Sequence, residues 1–200
     1  MLVLLDIDRT LMHPVERRFV QPEWKERFQT FEFDQYTVFL RPFLSIFLSY
    51  LFSLTSKGTK VGHFTAGSYN YATHVVKEVF EPHGYKLHCV FSNREYDESL
   101  DFDGRPKSVY YVAHKLKINV NEIILVDDSA RVCNPNVPHS YKIPKFVVCT
   151  DYTNIFGPFM FHDQGLLECY DHLEELNAIL VDSSSSEHEH EDEDEDEDEK

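Results

Sequence analysis

Three short polar clusters, each directly after an apolar stretch, are the parts of this 200-residue chain best suited to chemistry. The first contains Asp6, Asp8 and Thr10, the second spans residues 65–68 (TAGS), and the third spans residues 127–129 (DDS). Carboxylates beside apolar packing are costly unless a cation compensates them. Because no His or Cys accompanies these carboxylates, they favour a hard cation such as Mg²⁺.

The remaining polar groups of these clusters suit a phosphate. The Thr65 hydroxyl and the backbone N–H groups at the start of the next predicted helix suit phosphate oxygens, and Lys107 offers a point charge to the same group. A carboxylate such as Asp6 can act as a nucleophile and form an aspartyl-phosphate. Each group also has a purely structural interpretation: a helix cap for Thr65, a solvated side chain for Lys107 and a turn cap for the pair at 127–128.

The elements that would position these clusters alternate between strands and helices, a pattern typical of βαβ crossovers and a mostly parallel sheet. Predicted strands cover residues 1–5, 59–64, 87–91, 122–126 and 145–149, and predicted helices cover 43–55, 69–80, 108–116 and 163–180. A β-hairpin is predicted over 31–40, a loop with one helical turn over 12–30, and loops over 93–105 and 130–144. Since ligands collect beyond the carboxyl ends of parallel strands, the three clusters are expected to converge on one rim.

Composition divides the chain into one folded domain, residues 1–182, and an acidic tail, residues 183–200. The tail has eleven acidic residues and one lysine, so it carries −10 of the net charge of −16 and leaves −6 for the domain. With no apolar residue the tail is expected to be disordered. It is interpreted either as a segment that binds a basic partner or as a solubilising extension.

Several classes of protein and site are disfavoured. The mildly acidic domain argues against direct nucleic-acid binding, and no apolar stretch has the length of a membrane helix or a secretion signal. The four cysteines have no paired spacing, which argues against a zinc site or a disulfide framework. An EF-hand starting at Asp6 would need glycine where Leu11 stands and glutamate where Arg17 stands. We therefore expect a soluble intracellular protein, nuclear or cytoplasmic.

The motifs, taken in order, resemble those of haloacid-dehalogenase-superfamily phosphatases. The closest likeness is to the phosphatases of the RNA polymerase II carboxy-terminal domain, the FCP/SCP-like or NIF-type family. The matching segments are DIDRTL at 6–11 with His13 (their DLDETLVH), LRP at 40–42, FTA at 64–66, NRE at 93–95 and ILVDDS at 124–129. Two departures are Arg9, where the family usually has Glu, and Phe43, where its RPG segment has Gly.

This resemblance implies a Rossmann-like α/β fold with a mostly parallel sheet, a small β-hairpin insertion and no large cap domain. It implies that Asp6 attacks phosphorus and that Asp8 acts first as an acid and then as a base. It also implies that Thr65 and Lys107 hold phosphoryl oxygens, and that Arg94 reaches the substrate phosphate.

The resemblance further implies Mg²⁺ as the cofactor. Its ligands would be the Asp6 carboxylate, the Asp8 backbone carbonyl and the pair Asp127 and Asp128. The implied substrate is a phosphoserine or phosphothreonine segment of a protein, such as the RNA polymerase II C-terminal repeats. Two alternatives stay open: a catalytically idle binding module on the same fold, and a phosphatase for small phosphomonoesters or nucleic-acid ends.

Overall fold

The computed structural model describes residues 1–133, 140–148 and 163–186, with side chains up to residue 175 in the last range. The strands are β1 (Leu2–Leu5), β2 (Met12–Glu16), β3 (Thr30–Phe33), β4 (Tyr36–Leu40), β5 (Lys60–Phe64), β6 (Val90–Phe91), β7 (Ile123–Asp127) and β8 (Ser140–Lys142). The helices are α1 (Pro22–Arg27), α2 (Leu44–Ser53), α3 (Tyr69–Val75, continued by a π-turn over Val76–Phe80), α4 (Asn93–Asp103), α5 (Val109–Leu116) and α6 (Gly165–Ser186).

A five-stranded parallel sheet in the order β6-β5-β1-β7-β8 forms the centre of the fold. Strand β1 lies in the middle, with Leu5 opposite His63 of β5 and Val126 of β7. All four residues of β1 are buried because both faces of the sheet are covered. The predicted α/β architecture with a mostly parallel sheet is confirmed.

Alternate residues of β1 enter two separate cores, as the two-residue period of a strand requires. Val3 and Leu5 pack with the buried faces of α2, α3 and α6, whereas Leu2 and Leu4 pack with α5. Each fully buried Leu or Val stabilises the fold by about 1.5–3 kcal/mol. The central strand, and with it the polar cluster that follows, is therefore held rigidly from both sides.

A second sheet, antiparallel with the order β2-β4-β3, is inserted between β1 and α2. The predicted hairpin is confirmed, with β3 and β4 turning at Asp34 and Gln35. Within the loop predicted over 12–30, the predicted helical turn agrees with α1, but strand β2 was missed, and it extends the hairpin to three strands. Pro14 and the charged residues around it hid β2, and proline is tolerated there because β2 is an edge strand.

The acidic loop predicted over 93–105 is instead helix α4. Its start is fixed by Glu95, whose Oε2 accepts a hydrogen bond from the Ser92 backbone N at 3.0 Å. It ends at Gly104, which has the left-handed φ of 74° common at helix C-termini. The helix is so polar that the apolar stripe used to recognise helices is too weak to be seen.

The last strand of the sheet is β8, within the loop predicted over 130–144, and residues 145–148 are not the strand predicted there. Phe146 and Val148 are buried, but they pack into a separate core with Phe28 and Phe39. The apolar residues of this segment therefore gave the sequence pattern of a strand, although they pack outside the central sheet. Cys149, the end of that prediction, lies outside the described residues.

The C-terminal helix α6 packs on α2 through Leu166, Cys169 and Leu173, at the spacing of one helix face, as predicted for a closing helix. It extends to Ser186, so it includes the first four residues of the segment predicted as a tail. Residues 187–200 lie outside the described residues, and the predicted disorder of the tail stays a prediction.

Cys89, Cys133 and Cys169 are free thiols. The absence of a disulfide was predicted for all four cysteines, and these three fit that prediction.

None of the helices described is long and apolar enough to cross a membrane.

His63 makes the stability of the fold depend on pH. Its ring is fully buried on β5, and neither nitrogen has a hydrogen-bond partner of normal geometry within the described ranges. Burial, aided by the charge of Lys107 and opposed by a weak contact with the Ala72 backbone, lowers the pKa of His63 to about 4. The unfolded chain has a histidine pKa near 6.5, so it binds the proton more readily than the folded chain. The contribution of neutral His63 to the free energy of unfolding is therefore fully present above pH 6.5 and is lost as the pH falls towards 4.

We expect His63→Leu to gain about 2 kcal/mol in unfolding free energy relative to wild type when the pH falls from 7.5 to 5. Urea unfolding of both proteins at the two pH values measures this, and His114→Leu, at an exposed position, is the matched control. A difference that is the same at both pH values would contradict the prediction.

Candidate active site

The carboxyl ends of β1, β5 and β7 open into a cleft of about 800 Å³, where the three polar clusters meet. It is lined by Asp6, Asp8, Arg9, His13, Pro14, Thr65, Ala66, Tyr96, Lys107, Asp127, Asp128, Ser129, Ala130, Arg131, Val132, Lys142 and Lys145. The predicted convergence on one rim is confirmed for Asp6, Asp8, Thr65, Lys107, Asp127 and Asp128.

Asp6 is held rigidly at the floor of the cleft. Its backbone N donates to the Val126 carbonyl at 2.9 Å, which extends the pairing of β1 with β7 by one residue. Its Oδ2 accepts a hydrogen bond from Thr10 Oγ1 at 2.8 Å, and its Oδ1 accepts one from Lys107 Nζ. The side chain is only 6% exposed. Both oxygens are thus oriented before any substrate binds.

Lys107 lies between two carboxylates. Its Nζ also donates to Asp127 Oδ2 at 2.6 Å, and the side chain is 6% exposed. Burial alone would lower the pKa of Lys107, but the charges of Asp6 and Asp127 outweigh it and raise that pKa. The lysine is therefore a fixed ammonium group, not the solvated side chain of the structural interpretation.

The carboxylate oxygens of Asp6, Asp127 and Asp128 lie within 4.8 Å of one another, close enough to share one cation. Burial and the neighbouring charge of Asp6 raise the pKa of both Asp127 and Asp128. Lys107 neutralises only one of these three charges, so a further cation would reduce the repulsion that remains among the carboxylates. An all-oxygen set of this kind fits Mg²⁺ or another hard divalent ion.

Asp8 is placed for proton transfer. Tyr71 OH donates to Asp8 Oδ1 at 2.7 Å, whereas Oδ2 has no hydrogen-bond partner in the part of the chain that the structure describes. Burial raises the pKa of Asp8 to about 6, even though the hydrogen bond from Tyr71 opposes this. The protonated and ionised forms are therefore both accessible near neutral pH, as a group that gives and takes a proton requires.

Thr65 lies in the tight turn between β5 and α3, and the hydrogen bonds of this turn orient its side chain. Its Oγ1 accepts a hydrogen bond from the Gly67 backbone N at 3.0 Å, while Ser68 Oγ accepts the one from Tyr71 N that caps α3. Ser68 is therefore the helix cap, and the structural interpretation of Thr65 as an N-cap is wrong. A side chain at Gly67 would meet Tyr71 at 2.8 Å, so glycine is needed for this turn to lie beside Asp8.

Arg94, which the resemblance places at the substrate phosphate, and Arg41 of the LRP segment have different surroundings. Arg94 does not line the cleft, and its side chain, 78% exposed, pairs with Glu98 on the surface of α4. Arg41 is fully buried and binds both oxygens of Asp163 at 2.7 and 2.9 Å. It also donates to the Thr10 carbonyl at 2.9 Å, so it fixes the loop that carries Thr10.

Tyr71 is a residue beside the site that sequence reasoning missed. It belongs to the first turn of α3, where its spacing is that of a core residue, and no motif indicates that its hydroxyl reaches Asp8. The crowding of Gly67 against its ring shows that the TAGS turn and Tyr71 are packed as one unit. A glycine two residues after Thr65 was the available signal for this close approach.

Comparison with known proteins places these features in one family. Residues 1–189 match the profile of the family described as NLI interacting factor-like phosphatase. The putative CTD phosphatase-like protein 355R of Invertebrate iridescent virus 3 is 31% identical over 153 residues, which cover 66% of this chain and 77% of the relative.

Two solved structures share the fold. One is fission yeast RNA polymerase II CTD phosphatase Fcp1 bound to beryllium fluoride, with 19% identity, a TM-score of 0.50 and coverage of 91% of this chain. The other is Fcp1, an essential RNA polymerase II CTD phosphatase, with 18% identity, a TM-score of 0.53 and coverage of 97%. This chain spans only 56% and 54% of those two chains.

Proposed function

The chain belongs to the NLI interacting factor-like phosphatase family, and from this premise we propose that it is a magnesium-dependent protein serine/threonine phosphatase acting through an aspartyl-phosphate. The observation that supports the proposal best is the buried Asp6 carboxylate, oriented by Thr10 and Lys107 in a cleft that also holds Asp8. Family membership confirms the resemblance found in the motifs.

In the first step an Asp6 oxygen forms a bond to phosphorus while the bond from phosphorus to the seryl or threonyl oxygen breaks. Asp8, protonated, gives its proton to the leaving oxygen, so the product is a neutral hydroxyl. The pKa of Asp8, raised to about 6 by burial, leaves a useful fraction protonated near neutral pH. Thr65 and the Lys107 ammonium hold the oxygens of the phosphoryl group during transfer.

In the second step a water attacks the phosphorus of the aspartyl-phosphate. Asp8, now ionised, takes a proton from that water, and the bond from phosphorus to the Asp6 oxygen breaks. Inorganic phosphate leaves, Asp6 is again a carboxylate and Asp8 is again protonated. Tyr71 keeps Asp8 in one orientation through both proton transfers.

The carboxylates of Asp6, Asp127 and Asp128, with the Asp8 backbone carbonyl, would hold the Mg²⁺ ion. The ion would supply neutralisation of the negative charge on the phosphoryl group. Ser129 supports this site, because its backbone N donates to Asp127 Oδ1 at 2.8 Å and fixes that side chain.

A phosphoserine or phosphothreonine in a protein segment is the proposed substrate. The relatives are described as CTD phosphatases, which makes the RNA polymerase II C-terminal repeats the first candidate. Between β1 and α2 the chain builds a small antiparallel sheet and the six-residue helix α1, so the residues that the structure describes include no large cover that would select small substrates.

The proposal is tested by phosphate release from phosphoserine and phosphothreonine peptides with Mg²⁺ and after EDTA treatment. We expect release that depends on Mg²⁺, with p-nitrophenyl phosphate as the positive control for the chemistry. If small phosphomonoesters or 5′-phosphorylated oligonucleotides are turned over in preference to the peptides, they replace the protein segment as the proposed substrate class. No turnover of any substrate would favour the binding module.

Tyr71→Phe removes the hydrogen bond to Asp8 but keeps the ring that packs against Gly67 and Phe33. A hydrogen bond to a charged group contributes about 1.5–3 kcal/mol, so we expect kcat to fall roughly 10- to 100-fold while KM changes little. Steady-state kinetics separate the two constants. Tyr69→Phe, at an exposed position on the same helix, is the control. A rise in KM with unchanged kcat would contradict a positioning role for Tyr71.

A further inference from the structure

The lining of the cleft is rich in basic side chains, although the chain as a whole is strongly acidic. Arg9, Arg131, Lys142 and Lys145 all line the cleft and form what we call the cationic wall. With Lys107 the cleft has five basic side chains against four aspartates, on a chain with a net charge of −16. A net positive cleft on such a chain attracts anions locally.

Arg9 is held in place by its backbone. It has a left-handed φ of 67°, which costs a non-glycine residue about 1–2 kcal/mol. Its backbone N donates to the Met12 carbonyl, and its carbonyl accepts a hydrogen bond from Phe146 N at 2.7 Å. The NIF-type family usually has Glu at this position. A strained arginine that is fixed beside the nucleophile is typical of a functional position.

The charges of the wall are available to a ligand. Arg9, Arg131 and Lys142 are exposed, and within the described ranges none of them forms an ion pair. Lys145 is half-exposed, with its Nζ 3.8 Å from Asp128 Oδ2. That distance is too long for a direct hydrogen bond.

His13 completes the wall without adding charge. Its Nδ1 accepts a hydrogen bond from Val148 N at 2.9 Å, so the neutral ring carries its proton on Nε2. Burial and the charges of Arg9 and Lys145 lower the pKa of His13 to about 4. The charge of the wall therefore comes from its arginine and lysine side chains.

We propose that the cationic wall is a second anion subsite, which binds a second phosphate group on the same peptide while the first occupies the Asp6 centre. The inference rests on the proposed function and gives its substrate class as a multiply phosphorylated segment. Arginine binds phosphate through two parallel hydrogen bonds, and lysines add point charges. A cleft of about 800 Å³ has room for more than one phosphorylated side chain.

The test measures binding directly. Asp6→Asn protein is titrated into fluorescent peptides that carry one or two phosphoserines, with MgCl₂ present, and anisotropy is recorded. We expect the doubly phosphorylated peptide to bind at least about tenfold more tightly, and added salt to reduce this preference. Adding Arg9→Gln and Lys145→Gln should remove the preference. Adding Arg18→Gln and Lys60→Gln, two exposed changes outside the cleft lining, should keep it.

Equal affinity for the two peptides, or a preference that survives the Arg9 and Lys145 changes, would overturn the inference. Tighter binding of a 5′-phosphorylated oligonucleotide than of either peptide would overturn it as well, because the wall would then serve nucleic acid. Mg²⁺-dependent phosphate release from the same peptides by wild type is measured in parallel. Its absence would refute the proposed function, while the binding comparison would still decide on the subsite.

Discussion

Asp6→Asn is expected to lower kcat for p-nitrophenyl phosphate and phosphopeptides by at least about 10⁴-fold, because the amide cannot form the covalent intermediate. The change keeps the size of the side chain, and Lys107 keeps its ion pair with Asp127, although the single amide oxygen can accept from only one of Thr10 and Lys107. Folding should therefore be preserved, so the loss would reflect chemistry. Steady-state rates with Mg²⁺ measure the effect, and circular dichroism checks that the variant is folded.

Asp101→Asn is the matched control for the loss of a carboxylate, since Asp101 is exposed on α4 away from the cleft. Wild-type protein quenched during turnover of labelled substrate should carry label that hydroxylamine releases, as an acyl phosphate does, and the Asp6→Asn protein should carry none. Activity of Asp6→Asn within tenfold of wild type would refute a nucleophilic role for Asp6.

The central sheet and its polar rim could be predicted because burial on both faces leaves a simple signal. MLVLL and EIILV are short apolar runs that end at carboxylates, and this pattern is hard to explain except by strands that end at a site. The order of the motifs then indicated which side chains would lie close together. The positions of Asp6, Asp127 and Lys107 in the structure follow from that order.

Elements whose stability comes from polar contacts left no such signal. Helix α4 depends on Glu95 at its start and on ion pairs such as Arg94 with Glu98, and these have no hydrophobic period. Strand β2 contains Pro14 and is held by its neighbour β4. Local propensity alone cannot reveal an element that forms mainly because a partner strand is present.

The two departures from the family pattern share a left-handed backbone conformation, which the sequence did not reveal. Phe43 stands where the RPG segment of the family has glycine. Its φ of 64° lies in the left-handed region that glycine adopts freely. Arg9 has a φ of 67°. A backbone dihedral depends on contacts across the fold, such as that of Arg9 with Phe146, and sequence spacing does not report them.

Lys107→Met should reduce the unfolding free energy by about 3–5 kcal/mol in EDTA, because it leaves the buried carboxylates of Asp6 and Asp127 without their cation. Methionine has nearly the length of the lysine stem, so the packing is kept while the charge is removed. Urea unfolding at pH 8 measures the deficit. The matched control is Lys117→Met. Lys117 is an exposed lysine directly after α5, and its φ of 55° is left-handed, as is the φ of Lys107.

Added Mg²⁺ separates the electrostatic cause from a packing defect. An ion that binds only the folded state stabilises it in proportion to its affinity, and that affinity should rise when the competing ammonium is gone. We therefore expect Mg²⁺ to stabilise Lys107→Met more than wild type, while turnover stays about 10²- to 10³-fold lower because no ammonium holds the phosphoryl oxygens. An equal gain from Mg²⁺ in both proteins would show that Lys107 and the metal do not share the Asp6–Asp127 pair. Full stability of the variant in EDTA would show that these carboxylates need no cation.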